Sequence, residues 1–127
     1  MILDSSGLIA LTNVRDTHSK QARGLIVKNP KATWILHEVS LAESLVRASE
    51  NDSVAEVLSL ISALGVELEG SVGVEGALRV AQIRLKSRLP LPDCYVLDAA
   101  LIYKLPLVSF DGKLNVRARE MGIETVF

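Results

Sequence analysis

The chain is poor in aromatic residues, at 4%, and contains four prolines and a single cysteine, Cys94. A lone thiol cannot close an intramolecular disulfide, which excludes a disulfide-framed mini-protein. So few rings argue against a nucleic-acid platform built from stacked aromatic side chains. No apolar run approaches the ~20 residues of a membrane span. Asp4 interrupts the opening apolar residues, so no secretory leader is expected. Neither sign of charge dominates, with 14 basic against 15 acidic side chains. Together with a mean hydropathy of +0.31, this balance excludes a disordered polyelectrolyte and an overtly basic nucleic-acid coat. The expectation is a soluble cytoplasmic protein with no membrane association. Its 127 residues, 49% of them hydrophobic, suffice for one domain spanning 1–127 with a single core.

What is present is an alternation of short apolar runs with helical patterns. Met1-Ile2-Leu3 ends at Asp4-Ser5-Ser6-Gly7, which reads as a buried strand stopping at a turn that caps a helix. Thr33-Trp34-Ile35-Leu36, Leu105-Pro106-Leu107-Val108 and Glu124-Thr125-Val126-Phe127 read as further strands. Three apolar stripes mark helices between them: Leu41, Ala42, Leu45, Val46 and Ala48; Val57, Leu58, Ile61 and Leu64; and Val74, Ala77, Leu78, Ala81 and Leu85. Gly65 and Gly122 sit where helices should end. A further helix opens at Leu91-Pro92-Asp93 and is apolar almost all round, so it should be buried. Strand–helix alternation implies a parallel sheet covered on both faces, with ligands bound beyond the carboxyl ends of its strands.

That geometry directs attention to acids placed just after strands. Asp4 follows the first strand, and Asp111 follows Leu107-Val108-Ser109-Phe110. Asp93 stands in the first turn of the buried helix, and Glu43 lies on the border of an apolar stripe, where it could pair with Arg47. Each has an alternative structural role, as a helix cap, a dipole partner or a solvated side chain. Asp98, five positions beyond Asp93, lies on another face of its helix and is the weakest candidate. Carboxylates gathered in one cleft repel by roughly 1–4 kcal/mol per pair at close range, so convergence of these acids calls for a cation. Oxygen donors suit Mg²⁺ or Mn²⁺. His18, His37 and Cys94 have no zinc-site spacing, and no phosphate-loop, dinucleotide or nucleophile-elbow motif occurs.

Charge is segregated along the chain. Arg15, Lys20, Arg23, Lys28 and Lys31 face Asp16 alone in one segment, whereas residues 38–75 carry eight acids against Arg47. Arg79, Arg84, Lys86 and Arg88 form a second basic segment just before Asp93 and are candidate phosphate contacts, with a solvated helix face as the plain alternative.

Met1-Ile2-Leu3-Asp4-Ser5-Ser6, Leu41-Ala42-Glu43, Leu89-Pro90-Leu91-Pro92-Asp93-Cys94-Tyr95 and Leu107-Val108-Ser109-Phe110-Asp111, in that order, resemble the PIN-domain ribonucleases, especially VapC-type toxins of toxin–antitoxin modules. The resemblance covers essentially the whole chain. It implies a three-layer α/β/α fold with a central parallel sheet of about five strands, and an acidic quartet of Asp4, Glu43, Asp93 and Asp111. Ser5, Ser6 and Ser109 would be supporting hydroxyls. It also implies metal-dependent endoribonuclease activity with Mg²⁺ or Mn²⁺ held by Asp4, Asp93 and Asp111, an RNA substrate, a cognate antitoxin and a homodimer. A rival from another class is a non-catalytic α/β binding module whose acids only cap helices or hold a structural cation. A haloacid-dehalogenase-like phosphatase would need an acid at position 6, where Ser6 stands, and a receiver domain would need paired acids near the first strand.

Overall fold

The computed structural model describes residues 1–127. Its strands are β1 (Ile2–Leu3), β2 (Ile35–His37), β3 (Glu67–Glu69) and β4 (Leu107–Val108). The helices are α1 (Ser5–Thr12), α2 (Ser19–Lys28), α3 (Glu38–Glu50), α4 (Val54–Leu64), α5 (Gly73–Ser87), α6 (Leu91–Tyr103) and α7 (Gly112–Glu120). All strand pairings are parallel, in the order β3-β2-β1-β4. The inner strands read as continuous apolar runs because both of their faces are covered. Ile2, Ile35 and Leu107 pack with Val80, Leu97 and Leu114 of α5, α6 and α7. Leu3, Leu36 and Val108 face the opposite way, onto Leu8, Leu11, Ala48 and Val57 of α1, α3 and α4. This is the expected α/β/α sandwich. The edge strand β3 carries exposed Glu67, a charge that discourages pairing with another chain.

Four strands stand where about five were expected. The terminal run 124–127 contributes only a parallel bridge between Thr125 and Leu107. Leu107 donates its amide to Glu124 O at 2.8 Å and accepts one from Val126 at 2.9 Å, which is too little pairing to extend a ladder.

The largest correction concerns α5. Its apolar stripe was expected to face the core, yet Val74 is 88% exposed, Leu78 61% and Leu85 80%. The buried face is instead Gly76, Val80, Ile83 and Ser87, a set of smaller side chains that lets α5 lie close against α6. On α4 only Val57 of the expected stripe is fully buried. On α3 the buried positions are Ser40, Ser44 and Ala48, while Val46 is exposed. The middle of α6 is buried as its composition requires, at Cys94 and from Val96 to Ala100, whereas Leu91 at its start and the last turn, Leu101 to Tyr103, face solvent.

Register places the site. Ile2 pairs with Ile35 and Leu107, and Leu3 with Leu36 and Val108. One residue further along each strand stand Asp4, His37 and Ser109, side by side at the carboxyl edge. Gly7 brings α1 down onto this edge: a Cβ there would meet Val108 O at 2.5 Å, so no larger residue fits.

Candidate active site

Asp4 ends β1 and caps α1 at the same time. Its Oδ1 accepts the Gly7 amide at 2.7 Å and the Ser6 hydroxyl at 2.8 Å. Its Oδ2 accepts the Ser109 hydroxyl at 2.6 Å and shares the Ser6 proton at 2.9 Å. The two hydroxyls are fastened in turn, since Ser6 Oγ accepts the Phe110 amide at 2.9 Å and Ser109 Oγ accepts that of Asp111 at 3.0 Å. Asn115 Nδ2 donates to Ser109 O at 2.9 Å. The start of α1 and the end of β4 are thereby tied through one carboxylate. Burial pushes the Asp4 pKa up; the hydrogen bonds from Ser109, Gly7 and Ser6 oppose it, and the charge of Asp111 adds to it.

Asp111 caps α7, its Oδ1 accepting the amides of Lys113 at 2.9 Å and Leu114 at 3.1 Å. Asp93, in the first turn of α6, makes no hydrogen bond within the chain and is half-buried. Its pKa rises from 3.8 to about 6, first through burial and then through the charges of Asp111, Asp4 and Glu43. Those perturbers are the other three acids singled out in the sequence, so all three bear on Asp93. Together with Ser5, Ser6, Ile9 and Arg47 the four acids line a cleft of about 230 Å³.

The donor set suits a hard divalent cation. Asp4 uses three donors against about four lone-pair sites, which leaves it a direction free, and Asp93 is wholly uncommitted. No three His, Cys, Asp or Glu side chains stand close enough to hold a metal ion directly. Water would therefore complete any coordination shell, as Mg²⁺ favours.

Other candidates lie elsewhere. Asp98 is 2% exposed and takes a two-pronged contact from Arg79, Nε to Oδ1 at 2.9 Å and Nη2 to Oδ2 at 3.2 Å. The pair couples α5 to α6, so Asp98 does not join the cleft and Arg79 is committed to a carboxylate. Arg84, Lys86 and Arg88 do not line the cleft either. The cation that does is Arg47, which the sequence suggested only as a partner for Glu43. Although Glu→Arg at i,i+4 is a favourable helix spacing, no ion pair forms between them. A signal existed in Arg47 being the lone base within an acidic stretch.

The sequence profile of the PIN domain matches residues 1–120. The chain belongs to the PIN domain family. No curated protein matches it by sequence. Among solved structures, this PIN domain superposes on the sarcin–ricin-loop-cleaving toxin VapC20 of Mycobacterium tuberculosis with a TM-score of 0.75 at 14% identity, covering 91% of this chain and 92% of that one. A chain of a toxin–antitoxin complex from Klebsiella pneumoniae gives 0.71 at 20% identity, with coverage of 90% and 88%. A Pyrobaculum aerophilum protein gives 0.68 at 15% identity, with coverage of 98% and 82%. At these identities the likeness speaks for the fold.

Proposed function

We propose that this PIN domain, taken as one unit over 1–127, is a metal-dependent endoribonuclease that hydrolyses RNA phosphodiester bonds and is the VapC-type toxin of a type II toxin–antitoxin system. The observation that carries the reading is the gathering of Asp4, Glu43, Asp93 and Asp111 in one cleft, where the other three raise the pKa of Asp93. Helix capping accounts for Asp4 and Asp111, the one point in favour of a non-catalytic module. It accounts for neither Asp93 nor Glu43, which cap nothing. Support also comes from the family and from the two neighbours described as an RNA-loop-cleaving toxin and as part of a toxin–antitoxin complex.

In this reading Asp4, Asp93 and Asp111 hold Mg²⁺ or Mn²⁺, in part through water, with Glu43 completing the acidic wall. A divalent ion held there would supply a water activated for attack and would offset charge on the phosphate. Ser6 and Ser109 hold both Asp4 oxygens, so that carboxylate is presented in one orientation. Ser5 lines the mouth. The α7 amides fix Asp111, and Arg47 supplies the cation nearest the substrate phosphates. Mixed-sequence RNA incubated with purified protein tests this: cleavage should require Mg²⁺ or Mn²⁺, stop with chelator, and fall at least about a hundredfold in Asp4→Asn. Cleavage that persists in chelator would refute it.

A cognate antitoxin and a cytoplasmic location belong to the same proposal; no helix is long and apolar enough to cross a membrane. So does a homodimer, for which the exposed α5 stripe offers a surface. About a two-fold axis near the helix centre, antiparallel pairing sets Val74 against Leu85 of a second copy and Leu78 against its Ala81. The same operation brings Glu75 beside Lys86, neither of which has an ion-pair partner within the chain.

A further inference from the structure

We propose that the RNA strand leaves the acidic cleft past Arg47 and continues in the groove between α1, α3 and α4, where Arg47 grips the phosphate next to the scissile one and Arg15 a more distant phosphate. The inference rests on the nuclease reading above and adds the path of the substrate. A groove of about 680 Å³ adjoins the cleft, and Ile9 and Arg47 line both. A polymer cut at the carboxylates must continue in some direction, and this depression is continuous with them. Its walls are mostly polar. Asn13, Asn51 and Ser53 offer hydrogen-bonding side chains, while apolar contacts come from only 4 of the 13 lining residues. That composition suits a sugar–phosphate backbone better than a protein segment, which needs apolar anchors.

The groove is charge-balanced, with Arg15 and Arg47 against Asp16 and Glu56, and the bases are the groups free to meet a phosphate. Arg15 and Arg47 are exposed, and neither guanidinium has a carboxylate partner. Of the groove's acids, Asp16 already accepts the His18 amide at 2.8 Å, and Glu56 lies in the first turn of α4, where an anion is favoured by the helix end. Arg47 is also the cation that could offset the negative cleft on the strand's way out. The basic residues of α5, by contrast, do not line this groove.

The test is binding of a single-stranded RNA of about ten nucleotides, followed by fluorescence anisotropy in chelator across a salt series, alongside steady-state cleavage with Mn²⁺. Arg47→Gln should weaken binding on the order of tenfold and make the log–log salt dependence shallower by ~0.7. In turnover it should raise KM by a similar factor and leave kcat within about threefold, the signature of a contact made equally in ground and transition states. Arg47→Lys should recover much of the loss. Arg15→Gln should weaken the longer RNA but leave cleavage of a dinucleotide unchanged, because a dinucleotide ends before it. A wild-type enzyme that cleaves RNA while Arg47→Gln keeps full affinity and salt slope overturns the path and leaves the nuclease reading standing. So does an Arg15→Gln variant that binds the longer RNA as wild type does. A wild-type protein that neither binds nor cleaves any RNA removes both.

Discussion

Replacing Asp93 by asparagine should make the metal-free protein more stable at neutral pH. The Asp93 carboxyl titrates at about 6 in the fold, against an ordinary 3.8. A folded-state pKa above the unfolded one means that the native state binds the extra proton between these values. The contribution of Asp93 to wild-type stability is therefore fullest below about pH 4 and declines as pH rises through about 6. Unscreened, the shift corresponds to roughly 3 kcal/mol; because the side chain is only half-buried, solvent reduces this to roughly 1–2 kcal/mol. The substituted carboxamide would not titrate, makes no poorer use of hydrogen bonds than an aspartate that has none within the chain, and forfeits only the interaction of an anion with the first turn of α6, about 0.5 kcal/mol. The net gain near pH 7 is about 1 kcal/mol, or roughly 3–8 °C in Tm. Thermal melts by circular dichroism in chelator, from pH 4 to 7.5, should show the two proteins close together at pH 4 and diverging as pH rises, with Asp93→Asn higher. Saturating Mn²⁺ at a hundredfold excess over its dissociation constant should stabilise wild type by about 2.7 kcal/mol and the variant by clearly less. Curves that run parallel across this range, or a variant that melts lower at pH 7, would refute the claim that Asp93 faces three other carboxylates.

Ser109→Ala should lower stability by about 1–3 kcal/mol in chemical denaturation, because it removes a 2.6 Å hydrogen bond to buried Asp4 and the acceptor for the Asp111 amide. Gly7→Ala should cost a similar amount, since its Cβ meets Val108 O at 2.5 Å and α1 must move off the sheet; a wild-type melting curve would show that the contact relaxes freely. Leu78→Glu should convert a dimer into a monomer in light scattering at micromolar concentration without lowering Tm by more than the dimer's own contribution, because Leu78 is 61% exposed in the single chain. A wild-type chain that is monomeric at those concentrations would dismiss the α5 surface.

The parts of the fold that are legible in sequence are those where one local pattern admits one reading. An apolar run that stops at Asp4-Ser5-Ser6 must turn, and once the sheet is parallel, everything that follows a strand gathers at one edge. Asp4 and Asp111 could be placed on that logic, Asp93 by its place in the first turn of a buried helix, and Glu43 by its position on the border of a stripe. The helix after Pro92 was readable as buried because nearly every residue is apolar. The outward face of α5 was not readable, since the helix carries two candidate faces and the bulkier one is the less buried. Packing against α6 selected Gly76, Val80, Ile83 and Ser87, a choice that depends on the neighbour's shape rather than on hydrophobicity. The Arg79–Asp98 contact joins residues on different helices, so neither side chain announces its partner, and with it went the sequence-based assignment of Arg79 to phosphate. Arg47 was overlooked because its helical spacing from Glu43 suggested an ion pair. The dual use of Asp4, as cap and as cleft acid, also dissolves a choice that the sequence posed as exclusive.

The central claim is that the acidic cleft cleaves RNA with a divalent ion, and its most direct test is the initial rate of cleavage of a mixed-sequence single-stranded RNA during a Mn²⁺ titration after chelation, for wild type and Asp93→Asn. Wild type should rise from no detectable cleavage to saturation, and Asp93→Asn, although the more stable protein, should remain at least about a hundredfold slower at every Mn²⁺ concentration. An Asp93→Asn enzyme that reaches the wild-type rate, or a wild-type rate indifferent to Mn²⁺, would contradict the account.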